Sequence, residues 1–164
     1  MAIPPRSVFS LVSLLVTGAC TASSAGPLTA AHSAAIEDSV RATLSAFIGR
    51  MDATDGDSIV RFYTDDPRFT WTANGTVVAR SVAEIRAGIS ALAGYPRWRL
   101  EYLKPVIVPL APGVALATSE YTQTLTDPVG KDLTFGGIVT LVWIHTPGGW
   151  KILHGHSSSP PPAQ

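Results

Sequence analysis

The chain has 164 residues, enough for one domain and a short leader, and enough to bury a core without disulfides or metals. Hydrophobic residues make up 46% and charged residues 15%, with a formal net charge of zero. A binder of nucleic-acid phosphates would carry a basic excess. Here the lysines and arginines are balanced and scattered, so no nucleic-acid partner is expected.

The first segment reads as a targeting signal. Arg6 supplies a positive charge, Val8 to Val16 is a short apolar run, and small residues follow from Thr17 to Ala25. That order is the pattern of a secretory signal peptide, and the apolar run is too short to span a bilayer. Cys20 is the only cysteine, and Thr17-Gly18-Ala19-Cys20 resembles a lipobox, although Thr17 stands where an aliphatic residue is usual. Residues 1–25 are therefore expected to direct export, ending either in a lipid on Cys20 or in ordinary cleavage near Ala22 or Ala25. Such a lipid would be the only membrane attachment. The mature domain then has no thiol for a disulfide, a nucleophile or a thiolate metal site. Residues 26–33 form a tether, 34–158 the domain, and 159–164 a proline-rich tail.

Ile36, Val40, Leu44, Phe47 and Ile48 share one helical face and predict a helix from Ala34 to Arg50. Asp57 is a suitable cap for a short second helix, Ser58 to Tyr63, which Asp65-Asp66-Pro67 ends. Phe69 to Thr72, Asn74-Gly75 and Thr76 to Val78 predict a tight hairpin. Ser81 caps a third helix from Val82 to about Ala93, with Glu84 completing a capping box.

The rest is strand-rich. Arg97 to Pro109 carries Trp98, Leu100, Tyr102, Val106 and Val108 on one parity. Pro112-Gly113 turns into Val114 to Thr126. Asp127-Pro128-Val129-Gly130 turns into Leu133 to His145, where Gly136-Gly137 suits a bulge or sharp bend. Pro147-Gly148-Gly149 precedes the last strand, Trp150 to His156. Three helices followed by long strands with short turns predict an α+β domain, with a curved antiparallel sheet wrapped around the helices.

Gly149-Trp150-Lys151-Ile152-Leu153-His154-Gly155-His156-Ser157-Ser158 resembles the closing strand of SnoaL-like domains and of the calcium/calmodulin-dependent protein kinase association domain, both in the nuclear transport factor 2-like superfamily. Asp65 to Trp71 with Asn74-Gly75, Val82 to Arg86, and Gly113-x-Ala115-x-x-Thr118 resemble earlier elements of that group, in the same order. The likeness covers about residues 34–158. It implies a cone-shaped fold, a pocket at its open end and frequent dimerisation through the outer face of the sheet. It does not imply one activity, since the group includes cyclases, dehydratases, isomerases, epoxide hydrolases and non-enzymatic assembly domains.

Strict alternation puts His154 and His156 on one strand face with Trp150 and Ile152. A pocket histidine suits a general base near neutral pH. The same pair could instead be structural. No third metal ligand accompanies them, so neither metal nor cofactor is expected. A bulge would turn Leu153, Gly155 and Ser157 inward instead. Glu120 is a base if concave and a solvated or interface charge if convex. Its neighbour Tyr121 shares parity with Ser119 and Gln123. Tyr63, Trp71, Trp98, Tyr102, Tyr121 and Trp143 are either core or the lining of a site for a planar or apolar ligand. Asp65 and Asp66 are explained by turn formation.

Three readings stay open: a pocket for a small apolar or carbonyl-bearing molecule, a lyase or isomerase moving a proton through a histidine, and a non-enzymatic association module.

Overall fold

The structure, a computed structural model, describes residues 27–160. The leader, Cys20 and the last four residues lie outside that range. Helix α1 spans Ala30–Asp52, α2 Gly56–Ile59 with a 3-10 turn at Val60–Phe62, and α3 Val82–Ala91. The strands are β1 Thr70–Ala73, β2 Thr76–Ala79, β3 Arg97–Ala111, β4 Val114–Thr126, β5 Asp132–Thr146 and β6 Gly149–Ser158. They form one sheet in the order β2-β1-β6-β5-β4-β3. The α+β class and the curved, unclosed sheet are as expected, with one difference in pairing. β1 runs parallel to β6, while every other neighbouring pair is antiparallel.

Local chemistry sets the element ends. The Thr29 side chain accepts the His32 amide and starts α1 at Ala30, four residues before the expected start at Ala34. Asp55, rather than Asp57, caps α2 by accepting from the Ser58 amide. Ser81 accepts from Glu84 N, and the Glu84 carboxylate reaches back to the amide of Arg80, one residue before the reciprocal bond of a standard capping box. Asn74 and Gly75 both have positive φ, 48° and 79°, as a two-residue hairpin turn requires. Asp66 accepts from the backbone and guanidinium of Arg68, which holds its carboxyl down at about 2 and closes the turn before β1.

The core lies between α1 and the concave face of the sheet. Val40, Leu44 and Phe47 of α1 are buried with Ile59, Phe69, Leu141, Trp143 and Ile152. Asp52, at the end of α1, accepts the Leu100 amide at 2.8 Å and pins the helix to β3.

Two bulges reset which side chains face inward. In β3, Leu103 pairs with Glu120 and Val106 with Thr118, so Lys104 and Pro105 together oppose Ser119. Lys104 takes φ 52°, and Ser119 Oγ donates to the Leu103 carbonyl at 3.0 Å. Val106 and Val108, expected on the face of Trp98 and Leu100, are thereby turned outward. Val106 is 62% exposed, whereas Ile107 is 6% exposed. In β6, Ile152 pairs with Trp143 but His154 with Val142, leaving Leu153 as the extra residue. Beyond it, Gly155 and Ser157 take the concave side.

Gly136 and Gly137 lie in the middle of β5, which stays in continuous register with β4 there. A β-carbon on Gly136 would stand 2.5 Å from the Tyr121 carbonyl oxygen, and one on Gly137 would overlap the Ser158 carbonyl. Side chains are excluded there because neighbouring backbones approach too closely.

Candidate functional site

Between α1 and the sheet is a cavity of about 200 Å³. Phe47 and Met51 of α1 form one wall. Leu100 and Tyr102 of β3, Tyr121 and Gln123 of β4, Phe135 and Val139 of β5, and Ser157 of β6 form the sheet side, and Tyr63 and Trp71 close it. Alternation explains the sheet side once the bulges are included. Tyr102 and Tyr121 are directly paired across β3 and β4, so their rings leave the same face.

Tyr63 organises the aromatic wall. Its ring packs edge-on against Phe47 at 6.1 Å, Phe69 at 5.9 Å and Trp71 at 5.9 Å. Trp71 lies over Gly155, whose missing side chain makes room for the indole.

The polar side-chain groups of the lining residues are three phenols, one indole N–H, one amide and one hydroxyl. Tyr121 Oη lies 3.3 Å from Ser159 Oγ, so the start of the tail reaches the rim. Ser159 N in turn donates to Asn74 Oδ1 at 2.8 Å. Burial pushes the Tyr63 phenol well above its ordinary value. Burial does the same to Tyr102, reinforced by the nearby Tyr63 and Tyr121 phenols. Any phenol is protonated at neutral pH, and burial only strengthens this, so both hydroxyls are available to donate a hydrogen bond. No hydrogen bond from another described residue engages either hydroxyl. The lining contains no carboxylate, histidine or lysine.

Four of the six aromatic candidates thus meet at one cavity: Tyr63, Trp71, Tyr102 and Tyr121. The other two do not. Trp143 is fully buried, and Trp98 packs between the core and a separate surface groove beside Tyr95 and Ile89. Both of their indole N–H groups are buried without a partner among the described residues.

His154 and His156 are also away from the cavity. The extra residue at Leu153 inverts the alternation that placed them with Trp150 and Ile152, and turns both to the convex face. There His154 Nδ1 lies 2.7 Å from Thr70 Oγ1, and His156 pairs across the strands with Thr72 and Thr140. Glu120 is exposed on the convex face too, in a groove with Leu103, Lys104, Val106 and Ile138. It is paired with Ile138 rather than brought to either histidine. Among the described residues no group of three or more His, Cys, Asp or Glu is placed to hold a metal ion.

Phe47, Met51, Leu100, Gln123, Phe135 and Val139 line the cavity without having been singled out as site residues. The parity of Tyr121 leads directly to Gln123. Phe47 and Met51 share a face of α1, but their place opposite Tyr102 depends on helix docking.

Three helices with a curved, unclosed six-stranded sheet define the class of nuclear transport factor 2-like folds. The SnoaL-like domain model matches residues 40–162, and the chain belongs to that family. Solved structures agree on the fold. A nuclear transport factor 2-like superfamily protein from Salmonella enterica serovar Typhimurium is 17% identical, with a TM-score of 0.66 over 80% of this chain and 95% of its own. A candidate calcium/calmodulin-dependent protein kinase II association domain from Xanthomonas campestris is 21% identical, with a TM-score of 0.65 over 76% and 87%. A candidate scytalone dehydratase from Novosphingobium aromaticivorans is 9% identical, with a TM-score of 0.69 over 78% and 86%. At these identities the likeness shows the fold alone. No curated protein matches the sequence.

Proposed function

We propose that the concave cavity binds a small, flat, largely apolar molecule carrying a hydrogen-bond acceptor such as a carbonyl oxygen. The observation that carries this reading is the pairing of an aromatic wall with two phenols, Tyr63 and Tyr102, that are protonated and lack protein partners. Cavities for drug-sized ligands usually enclose about 300–1,000 Å³. At about 200 Å³ this one suits a molecule of one or two rings.

A lyase or isomerase reading is less well supported. Proton abstraction needs a base within reach of the substrate, and the lining offers only neutral groups. The dehydratase name of one structural neighbour keeps hydroxy-carbonyl compounds among the ligands worth screening.

Native mass spectrometry of the purified protein tests for a retained ligand. Quenching of Trp71 fluorescence by an aromatic ketone such as 1-indanone tests binding directly. Saturable quenching that is lost in Trp71→Phe supports the reading. If no ketone or retained molecule perturbs Trp71, the reading fails.

The convex face favours self-association as a second property. Leu103, Val106, Val108 and Ile138 are 46%, 62%, 43% and 50% exposed and lie on that face. Exposed apolar side chains of this kind, interspersed with Lys104 and Glu120, suit an interface. We propose a homodimer through this face, to be checked by sedimentation of the parent and Val106→Glu. A parent that sediments as a monomer would rule it out.

We also propose export, on the leader sequence alone. Mass measurement of the mature N terminus separates lipidation at Cys20 from cleavage near Ala22 or Ala25, and an uncleaved chain in the cytoplasm contradicts both.

A further inference from the structure

We propose that a second site, on the outside of the Tyr63 wall, binds a small oxyanion. The site is a groove of about 500 Å³ where the 3-10 turn, the loop after it, α3 and the turn between β5 and β6 meet. Three cations enter it from three elements: Arg61 from the turn, Arg86 from α3 and Lys151 from β6.

Two of the three have no carboxylate within ion-pair distance, as is also true of Arg80, Arg97, Lys104 and Lys131 elsewhere among the described residues. Arg41, Arg50, Arg68 and Arg99 each hold a carboxylate elsewhere on the surface. Arg61 and Lys151 hold none among the described residues. Lys151 Nζ instead donates to the Arg61 carbonyl oxygen, which draws its ammonium against the turn that carries the Arg61 guanidinium. No carboxylate lies within ion-pair distance of either side chain, and Asp55 feels the Arg61 charge only at longer range. Arg86 is paired with Asp57, but that carboxylate side chain is 83% exposed and well solvated. Asp65 is the only carboxylate in the lining, and it forms no ion pair with any of the three. The lining itself carries three cations and one carboxylate, with Asp57 bound to Arg86 from outside it.

Thr64 adds a donor. Its side-chain oxygen accepts the Asp66 amide, so the hydroxyl proton is unclaimed, and the residue is only 9% exposed. Guanidinium, ammonium and hydroxyl donors on one concavity match the several acceptor oxygens of a phosphate, sulfate or carboxylate. A groove of about 500 Å³ with three cations suits a single small anion. The oxyanion is either free or the charged end of a small ester.

Titration of 15N-labelled protein with inorganic phosphate, at constant ionic strength, tests the site. Saturable shifts are expected at the amides of Arg61, Thr64, Asp65 and Lys151. Arg61→Gln combined with Lys151→Gln should weaken binding at least about tenfold, the lower end for lost charge-assisted hydrogen bonds. Arg97→Gln combined with Lys131→Gln removes the same net charge elsewhere and should leave the midpoint unchanged. Phenyl phosphate is titrated in parallel. Equal midpoints mark a free oxyanion and a tighter phenyl phosphate marks an ester, and both uphold the site. The proposal is overturned if neither probe gives saturable shifts, or if the two double variants lose affinity equally. Both pairs lie on the surface, and unchanged circular dichroism establishes that they fold.

Discussion

The indole of Trp71 rests on the backbone of Gly155, so closely that a β-carbon built on Gly155 would overlap the ring carbons Cε3 and Cζ3. The two residues are register partners across the parallel pair β1 and β6. This contact gives the cavity wall its position, and it makes one glycine of β6 a determinant of the site. Gly155→Ala should push the indole aside at a cost of about 1–3 kcal/mol, the usual range for overpacking. Urea denaturation measures the loss, and Trp71→Leu on the Gly155→Ala background should recover part of it. Stability equal to the parent's in the single variant would mean that the indole moves freely.

The phenols predict different effects on binding and on stability. Tyr102→Phe removes a donor with no protein partner, so folding stability should change by less than about 0.5 kcal/mol. Affinity for an aromatic ketone should fall about tenfold, a loss of about 1.4 kcal/mol. Fluorescence titration alongside urea denaturation separates the two. A variant that loses stability but not affinity would place the Tyr102 hydroxyl outside the binding site.

Alkaline pH should destabilise the fold through the same groups. The phenols of Tyr63 and Tyr102 have native values raised above 10.0. The unfolded chain releases these protons near pH 10 while the native state keeps them. Their contribution is therefore complete below about pH 10 and declines as pH rises beyond it. Denaturation between pH 8 and 11.5 should show this decline, and Tyr63→Phe with Tyr102→Phe should flatten it. An unchanged slope in the double variant would contradict the burial of the hydroxyls.

The histidines make a prediction of independence. His154→Gln and His156→Gln should leave ketone affinity within about twofold of the parent, since neither side chain lines the cavity. His154→Gln should cost stability through its lost partner Thr70, by about 0.5–1.5 kcal/mol. A large loss of affinity in either variant would require β6 to adopt another register when ligand binds.

Lys104 holds φ 52° at the β3 bulge, a conformation that costs a side-chain-bearing residue roughly 1 kcal/mol. Lys104→Gly should therefore stabilise the protein by a few tenths to about 1 kcal/mol, whereas Leu103→Gly in the adjoining extended backbone should destabilise it. Thermal and urea denaturation of both variants give the comparison, and a less stable Lys104→Gly would show that the bulge carries no such strain.

The sequence alone determined the order and kind of nearly every element, because capping, turn chemistry and apolar spacing act over a few residues. Ser81 with Glu84, Asn74 with Gly75, and the Val40, Leu44 and Phe47 face each state their structure locally. The SnoaL-like closing strand, Gly149 to Ser158, was equally readable as a fold signature. Which of its side chains face the cavity was decided by tertiary structure, because the inserted residue at Leu153 is a property of the pairing with β5. Nothing in Ile152-Leu153-His154 marks it. The β3 bulge had one cue in Pro105, since proline is confined to edges and bulges within a sheet. Alternation carries a side-chain direction only as far as the next bulge. The aromatic candidates rest on residue type in apolar context, and four of the six line the cavity, whereas His154 and His156 rest on alternation across a bulge and lie on the opposite face.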